Sequence, residues 1–263
     1  MRAPSNKLAL LLKKYPLGVL LASLMMTIVG APLTTKFAAL LPGLHGQASL
    51  TPLVLILTLA AAFALWSNAR RRVATIFLGV VVVILLILST LLARDSLIAI
   101  NLLAQMVFLT YVIVVIFRVV FKARLVDGNI LCGAASLYLM IGVLIGFIYS
   151  FIELIEPGSF NIIAQSGQAA PAPDKVQAGW LIYFSLTTLT TVSLGDILPT
   201  TDIARSMVVL EAILGQILIV LMMARLVGLH VAQVSSGQTK PVAFETSRNR
   251  ASGRRHRHED RPA

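Results

Sequence analysis

The sequence predicts an all-α membrane protein with six transmembrane helices and one shorter helix that enters the membrane without crossing it. Apolar residues make up 57% of the 263-residue chain, and its mean hydropathy is +0.88. Soluble domains contain only about 45–50% apolar residues. Charged residues amount to 13% of the chain and are clustered. The apolar runs between these clusters are long enough to span a bilayer as helices.

Six apolar runs provide the predicted spans. They lie near residues 16–34, 51–68, 73–93, 96–120, 130–153 and 204–230. The first run follows several lysines, which is also the pattern of a signal peptide. No cleavage site of small residues follows at the required distance, and removal would break the charge pattern described next. We therefore expect a retained helix.

Lysines and arginines concentrate in every second connection between the spans. The N-terminal segment, the second loop, the fourth loop and the C-terminal tail are basic, whereas the loops between them are poor in basic residues. Because basic loops remain in the cytoplasm, both termini are predicted to be cytoplasmic. We expect a multi-pass protein of a plasma membrane of the bacterial inner-membrane type, with residues 154–203 forming an external loop.

The external loop contains an apolar segment, WLIYFSLTTLT at residues 180–190, that is too short to cross the membrane. As a helix it would be about 16 Å long, roughly half of a bilayer core. Backbone beyond such a half-helix is tolerated at membrane depth only where protein buries it or it lines a wet cavity. The threonine hydroxyls and following carbonyls can therefore face a narrow aqueous path, and the negative helix end favours a cation.

Residues 183–199, YFSLTTLTTVSLGDILP, resemble the pore loop of tetrameric potassium channels, whose signature is T-V-G-Y-G-D. The resemblance extends over roughly 130–233, where LEAILGQ and ARLVGLH are similar to small bacterial six-span members. It implies a homotetramer that conducts potassium or another monovalent cation and needs no cofactor. The implied selectivity filter consists of Thr191, Val192, Ser193, Leu194 and Gly195. The implied filter support consists of Thr188, Thr190, Asp196 and Glu211. Gly215 would be a gating hinge.

Two residues depart from the family signature. Ser193 replaces the first filter glycine, and a Cβ there disfavours left-handed backbone angles by roughly 1–2 kcal/mol. Leu194 replaces a tyrosine and loses its hydroxyl. Potassium-selective and less selective cation conduction both remain open. The alternative from another class is a non-conducting membrane scaffold or sensor with a degenerate filter.

Other classes of function are disfavoured. No inverted repeat with paired broken helices supports a secondary transporter. No His, Asp, Glu or Cys cluster has catalytic spacing, so we do not expect an enzyme. Nucleic-acid binding is not expected, because membrane orientation explains the basic excess.

Glu211 lies about two turns into the last span, at a depth where an acidic group is costly and functionally suggestive. It either pairs with Arg205 or stays protonated and bonds hydroxyls of the short helix, and a structural role is favoured over permeation. Gln216 lies about 140° around the helix from Glu211. We therefore place Gln216, Ile219 and Met223 on the cavity side.

The predicted organisation has four parts. Residues 1–15 form a cytoplasmic N-terminus, and 16–125 form a four-helix membrane domain whose fourth span lacks the arginine repeat that voltage sensing needs. Residues 130–233 form the pore domain. Residues 236–263 are predicted to be a disordered basic tail. This tail either contacts anionic lipid or is simply solvated.

Overall fold

The computed structural model describes residues 15–40, 69–92, 95–123, 125–163, 178–235 and 237. The second predicted span, 51–68, most of the N-terminal segment and almost all of the C-terminal tail lie outside these residues. Within them, the helices and strands are α1 (Pro16–Leu40), α2 (Ala69–Leu92), α3 (Asp95–Lys122), α4 (Gly128–Ile155), β1 (Phe160–Ile162), α5 (Ala178–Leu189), β2 (Ile197–Pro199) and α6 (Asp202–Ser235).

Three helices of the described part are long and apolar enough to cross a membrane: Ser96–Lys122, Gly128–Ile155 and Asp202–Ser235. The apolar stretches found in α1 and α2 are shorter, at Pro16–Gly30 and Val73–Ser89. Five of the six predicted spans coincide with helices to within a few residues. These apolar helices support a membrane protein, and the total of six spans stays a prediction.

Helix α4 is the centre of the packing, because α1, α3, α5 and α6 all contact it. Its first turn is capped by Asp127, whose carboxylate accepts a hydrogen bond from the Ile130 amide at 2.9 Å. Such a cap satisfies one of the N–H groups that a helix start leaves unpaired. The core that α4 shares with α1 and α3 includes Leu20, Leu24, Leu109, Val112, Ile116, Leu137, Met140 and Phe147.

Helix α6 is packed on one side only. Its buried residues are Ala204, Glu211, Gly215 and Met222, which recur at helical spacing and form one stripe. Its 34 residues make a helix about 51 Å long, longer than a hydrocarbon core of about 30 Å. The remaining faces carry exposed apolar side chains, among them Leu210, Ile213, Leu214, Ile217, Val220 and Leu221.

Candidate functional site

The short helix α5 packs between α4 and α6 and has 12 residues, so it is about 18 Å long and cannot cross a membrane. Its buried face includes Leu181, Phe184 and Leu189. Phe184 joins an aromatic cluster with Tyr149 of α4 and Phe160 of β1, and both ring-centroid distances are 5.7 Å. The observed helix thus matches the half-span segment that the sequence predicts.

Glycines on both neighbouring helices allow α5 to approach closely. A Cβ atom on Gly146 of α4 would lie 2.6 Å from the Ile182 Cα atom, and one on Gly142 would lie 2.7 Å from a Leu186 methyl group. These two glycines form the G-x-x-x-G spacing that lets membrane helices pack closely. The sequence therefore contained a signal for the α4–α5 contact that the sequence analysis did not use.

Gly215 of α6 makes the corresponding contact from the other side. A Cβ atom there would lie 2.6 Å from the Leu189 carbonyl oxygen at the end of α5. Helix α6 continues through Gly215 without interruption. The structure thus gives this glycine a packing role, and its role as a gating hinge stays a prediction.

The last carbonyl groups of α5 all have hydrogen-bond donors. The Leu186 carbonyl accepts from the Thr190 hydroxyl at 2.7 Å, and the Leu189 carbonyl accepts from the Tyr138 hydroxyl at 2.7 Å. The Thr188 carbonyl accepts from the Thr191 amide at 2.9 Å. These bonds satisfy acceptors that a helix end leaves unpaired.

The fourth carbonyl, that of Thr187, holds the following loop. It accepts from the Val192 amide at 2.9 Å and from the Ser193 amide at 3.2 Å. The loop therefore folds back onto the end of α5. The hydroxyl of Thr188, which the sequence predicted as filter support, is buried and finds no hydrogen-bond partner among the residues that the structure describes.

The sign of the backbone angle φ alternates along the loop after α5, residues 191–195. The φ angles are 60° at Thr191, 37° at Ser193 and 75° at Gly195. Thr191 and Ser193 are the only non-glycine residues with positive φ in the part of the chain that the structure describes. Such angles cost free energy in residues with a Cβ and concentrate at functional sites. Alternating handedness aligns successive N–H groups on one side of a chain and turns the carbonyls to the other side.

The carbonyl oxygens of this loop carry no protein donor. Across the described ranges, no hydrogen bond is donated to a carbonyl of residues 191–195. All five residues are exposed, with Val192 at 58% and Leu194 at 63%. The last turn of α5 is fully bonded, so in the described ranges the carbonyls without a donor begin at Thr190 and continue through the loop.

The C-terminal end of the loop is tied to α5 and to the residue that follows β1. Tyr183 of α5 donates its hydroxyl to the Asp196 carboxylate at 2.8 Å, and the Ile163 amide donates to the Asp196 carbonyl at 2.8 Å. Strands β1 and β2 pair antiparallel next to this point, with Ile162 opposite Ile197. Asp196 is thus fixed through both its side chain and its backbone.

Glu153, at the end of α4, holds the turn between α4 and β1. Its buried carboxylate accepts hydrogen bonds from the Gly158 amide at 2.8 Å and the Phe160 amide at 3.0 Å. Neither this role of Glu153 nor that of Tyr183 was predicted from the sequence. The available signal was an acid four residues before the Pro157–Gly158 pair.

Glu211 of α6 is buried behind α5, at 1% exposure. The Tyr149 hydroxyl donates to one carboxylate oxygen at 2.5 Å, and the Ser185 hydroxyl of α5 contacts the other. Arg205 is exposed and donates instead to the Pro199 carbonyl at 3.3 Å. Of the two alternatives from the sequence, the structure shows contact with a hydroxyl of α5.

The predicted cavity residues Gln216, Ile219 and Met223 are exposed on α6, away from its buried stripe. The structure does not bring them into contact with the loop of the same chain. They share the long unpacked surface of α6.

Arg225, farther along α6, reaches the end of α3. Its guanidinium group donates to the Phe121 carbonyl and, at 3.3 Å, to the Ala123 carbonyl. The group also lies 4.9 Å from the centre of the Phe121 ring, a cation–π arrangement. Arg225 therefore caps the C-terminal end of α3 and links it to α6.

No group of three His, Cys, Asp or Glu residues in the described segments is arranged to hold a metal ion. The expectation that the protein needs no cofactor stays a prediction.

Residues 136–230 match a protein-family model whose description is ion channel. The matched segment contains most of α4, the segment with α5 that connects it to α6, and most of α6. No curated protein and no solved structure matched the chain. The family match supports an ion channel, which is a transport protein in a membrane and not an enzyme.

Proposed function

We propose that the protein is a tetrameric cation channel whose selectivity filter is the loop from Thr191 to Gly195. The observation that carries this proposal is the set of donor-free carbonyls in a loop whose φ is positive at every second residue. In potassium channels, rings of backbone carbonyls replace the hydration shell of the ion. The resemblance of residues 183–199 to such a pore loop points to the same use here.

Four chains are needed because one loop supplies only one side of each oxygen ring. The exposed apolar side chains of Val192 and Leu194 and the unpacked faces of α6 support association with further copies. Large exposed apolar patches mark contacts with protein or lipid. We therefore propose a homotetramer in a plasma membrane, with cytoplasmic termini.

The permeating ion is potassium or another monovalent cation. Ser193 lies in the left-handed region, where a residue with a Cβ costs roughly 1–2 kcal/mol. Leu194 is exposed and offers no hydroxyl that could brace the loop. Both features favour weaker potassium selectivity than the family signature implies.

The remaining predicted residues have supporting roles in this proposal. Thr188 lies in the last turn of α5 and Thr190 directly follows it. Asp196 fixes the outer end of the loop, and Glu211 supports α5 from behind. Gly215 is proposed as a hinge in addition to its packing contact. The cavity below the filter would be lined by Gln216, Ile219 and Met223.

Ion flux in proteoliposomes tests this function, with potassium, sodium and lithium compared in turn. Gly195→Ala should abolish most of the flux, because a Cβ is strained at its φ of 75°. Gly158→Ala is the matched control, since Gly158 also has a positive φ, of 88°, and open space around it, but lies outside the loop. Absence of flux for every cation in the parent protein would favour the scaffold alternative.

A further inference from the structure

Three side chains from three helices meet behind the loop. Tyr149 of α4, Ser185 of α5 and Glu211 of α6 are each at most 1% exposed. The Tyr149 hydroxyl contacts the first carboxyl oxygen of Glu211, and the Ser185 hydroxyl contacts the second. Ser185 also lies 2.7 Å from the carbonyl of Gly142 on α4. The four groups thus form a continuous chain of contacts.

The number of available hydrogen atoms shows which protonation state of Glu211 makes all of these contacts hydrogen bonds. Tyr149 and Ser185 each supply one hydrogen, and an ionised carboxylate supplies none. With an ionised Glu211, the single Ser185 hydrogen serves either Glu211 or the Gly142 carbonyl, and the other contact has no hydrogen. A protonated Glu211 donates to Ser185, which then donates to Gly142, and all three contacts are hydrogen bonds.

The surroundings of Glu211 also favour the protonated carboxyl group. Glu211 forms no ion pair with any residue of the described segments, and its two partners are neutral hydroxyls. An isolated charge is costly in an apolar interior, and a buried carboxyl there is normally neutral or paired. The one basic residue that the sequence suggested as a partner, Arg205, is engaged at the external surface.

We infer that Glu211 is held as a neutral carboxylic acid that links Tyr149 to Ser185 and Gly142, and that this chain fixes the position of α5. Tyr149, Ser185 and Glu211 are then positioning residues for the filter, a role that rests on the proposed function. Ser185 lies two residues before Thr187, whose carbonyl holds the Val192 and Ser193 amides. A displacement of α5 therefore moves the filter backbone directly.

The first experiment detects the proton and does not require conduction. The infrared spectrum of the reconstituted protein at neutral pH should contain the C=O band of a protonated carboxyl that disappears in Glu211→Gln. Glu156→Gln, at an exposed external acid, is the matched control and should leave the band unchanged. A parent spectrum without a band that Glu211→Gln removes would overturn the inference, whether or not the protein conducts.

The second experiment tests positioning. A glutamine offers one acceptor to Tyr149 and one donor to Ser185, so Glu211→Gln should retain the parent reversal potential under bi-ionic conditions. Glu211→Leu and Ser185→Ala should change the permeability ratio by about fivefold, the equivalent of one hydrogen bond. Thermal melting and oligomeric state identify variants that fail to fold.

The outcomes separate the two proposals. Equal permeability ratios in the parent, Glu211→Leu and Ser185→Ala, with intact folding, would refute the positioning role. A parent without flux would refute the proposed function, and the infrared result would still decide the protonation of Glu211.

Discussion

Replacing Ser193 by glycine and Leu194 by tyrosine should increase the preference of the channel for potassium over sodium. At its φ of 37°, Ser193 holds a Cβ in the left-handed region. Glycine adopts such angles freely, so Ser193→Gly removes the cause of the strain. Tyrosine at 194 adds a hydroxyl and a larger ring to a side chain that is 63% exposed in the single chain. Both changes should make the oxygen ring more rigid.

The magnitude follows from the strain at one backbone position. A non-glycine residue in the left-handed region costs roughly 1–2 kcal/mol, and a tetramer carries four such residues. A difference of about 1.4 kcal/mol between two ions changes their ratio tenfold. If only about 1 kcal/mol of the total strain contributes to the free-energy difference between potassium and sodium, the permeability ratio should still rise about fivefold.

The assay is the reversal potential under bi-ionic conditions for the parent, the double variant, the single variant Ser193→Gly and two controls. Ser193→Ala removes the hydroxyl and retains the Cβ, so it should behave like the parent. Leu194→Phe adds a ring without a hydroxyl and separates bulk from hydrogen bonding. A parent that is already strongly potassium-selective, with a double variant no better, would refute the reasoning. Equal effects of Ser193→Ala and Ser193→Gly would show that the Cβ is not responsible.

Four further predictions concern assembly, gating and packing. The protein purified in mild detergent should be tetrameric by light scattering, and a monomer across several detergents and lipids would argue for a scaffold. Open probability in planar bilayers should change little with voltage, because the fourth span has no arginine repeat; a steep dependence would contradict this. Gly215→Ala should lower the melting temperature because its Cβ meets the Leu189 carbonyl, whereas Gly228→Ala, on the same helix with open space around it, should be neutral or slightly stabilising. Arg225→Met should alter open probability more than selectivity in single-channel records, because Arg225 joins α6 to the end of α3; an unchanged open probability would rule out this coupling.

Local composition was sufficient to predict α5 and the loop that follows it. An apolar segment of half-span length, followed by threonines, Gly195 and Asp196, defines the helix and its end within one chain segment. Five of the predicted spans could be located for the same reason, since apolar length is a local property.

Contacts between segments that are distant in sequence could not be predicted from local composition. Residues 154–203 were predicted only as an external loop with one short helix, but Phe160–Ile162 form a strand because Ile197–Pro199 lie beside them. Three residues cannot show a strand pattern of their own. Tyr183 and Glu153 were missed because their partners are set by tertiary packing. For Glu211 the sequence left two partners open, since depth in a helix does not determine which neighbour a side chain meets.

The contacts that hold α5 within its own chain have a consequence for the order of folding and assembly. Every contact described for α5, from the Gly146 and Gly215 surfaces to the Tyr138 and Glu211 side chains, is made within one chain. A newly inserted subunit can therefore dock its half-helix and bend its loop before it meets another copy. In the proposed tetramer, assembly would join four subunits that are already folded. Docking of α5 should therefore be independent of protein density in the membrane, whereas ion flux should rise steeply with that density.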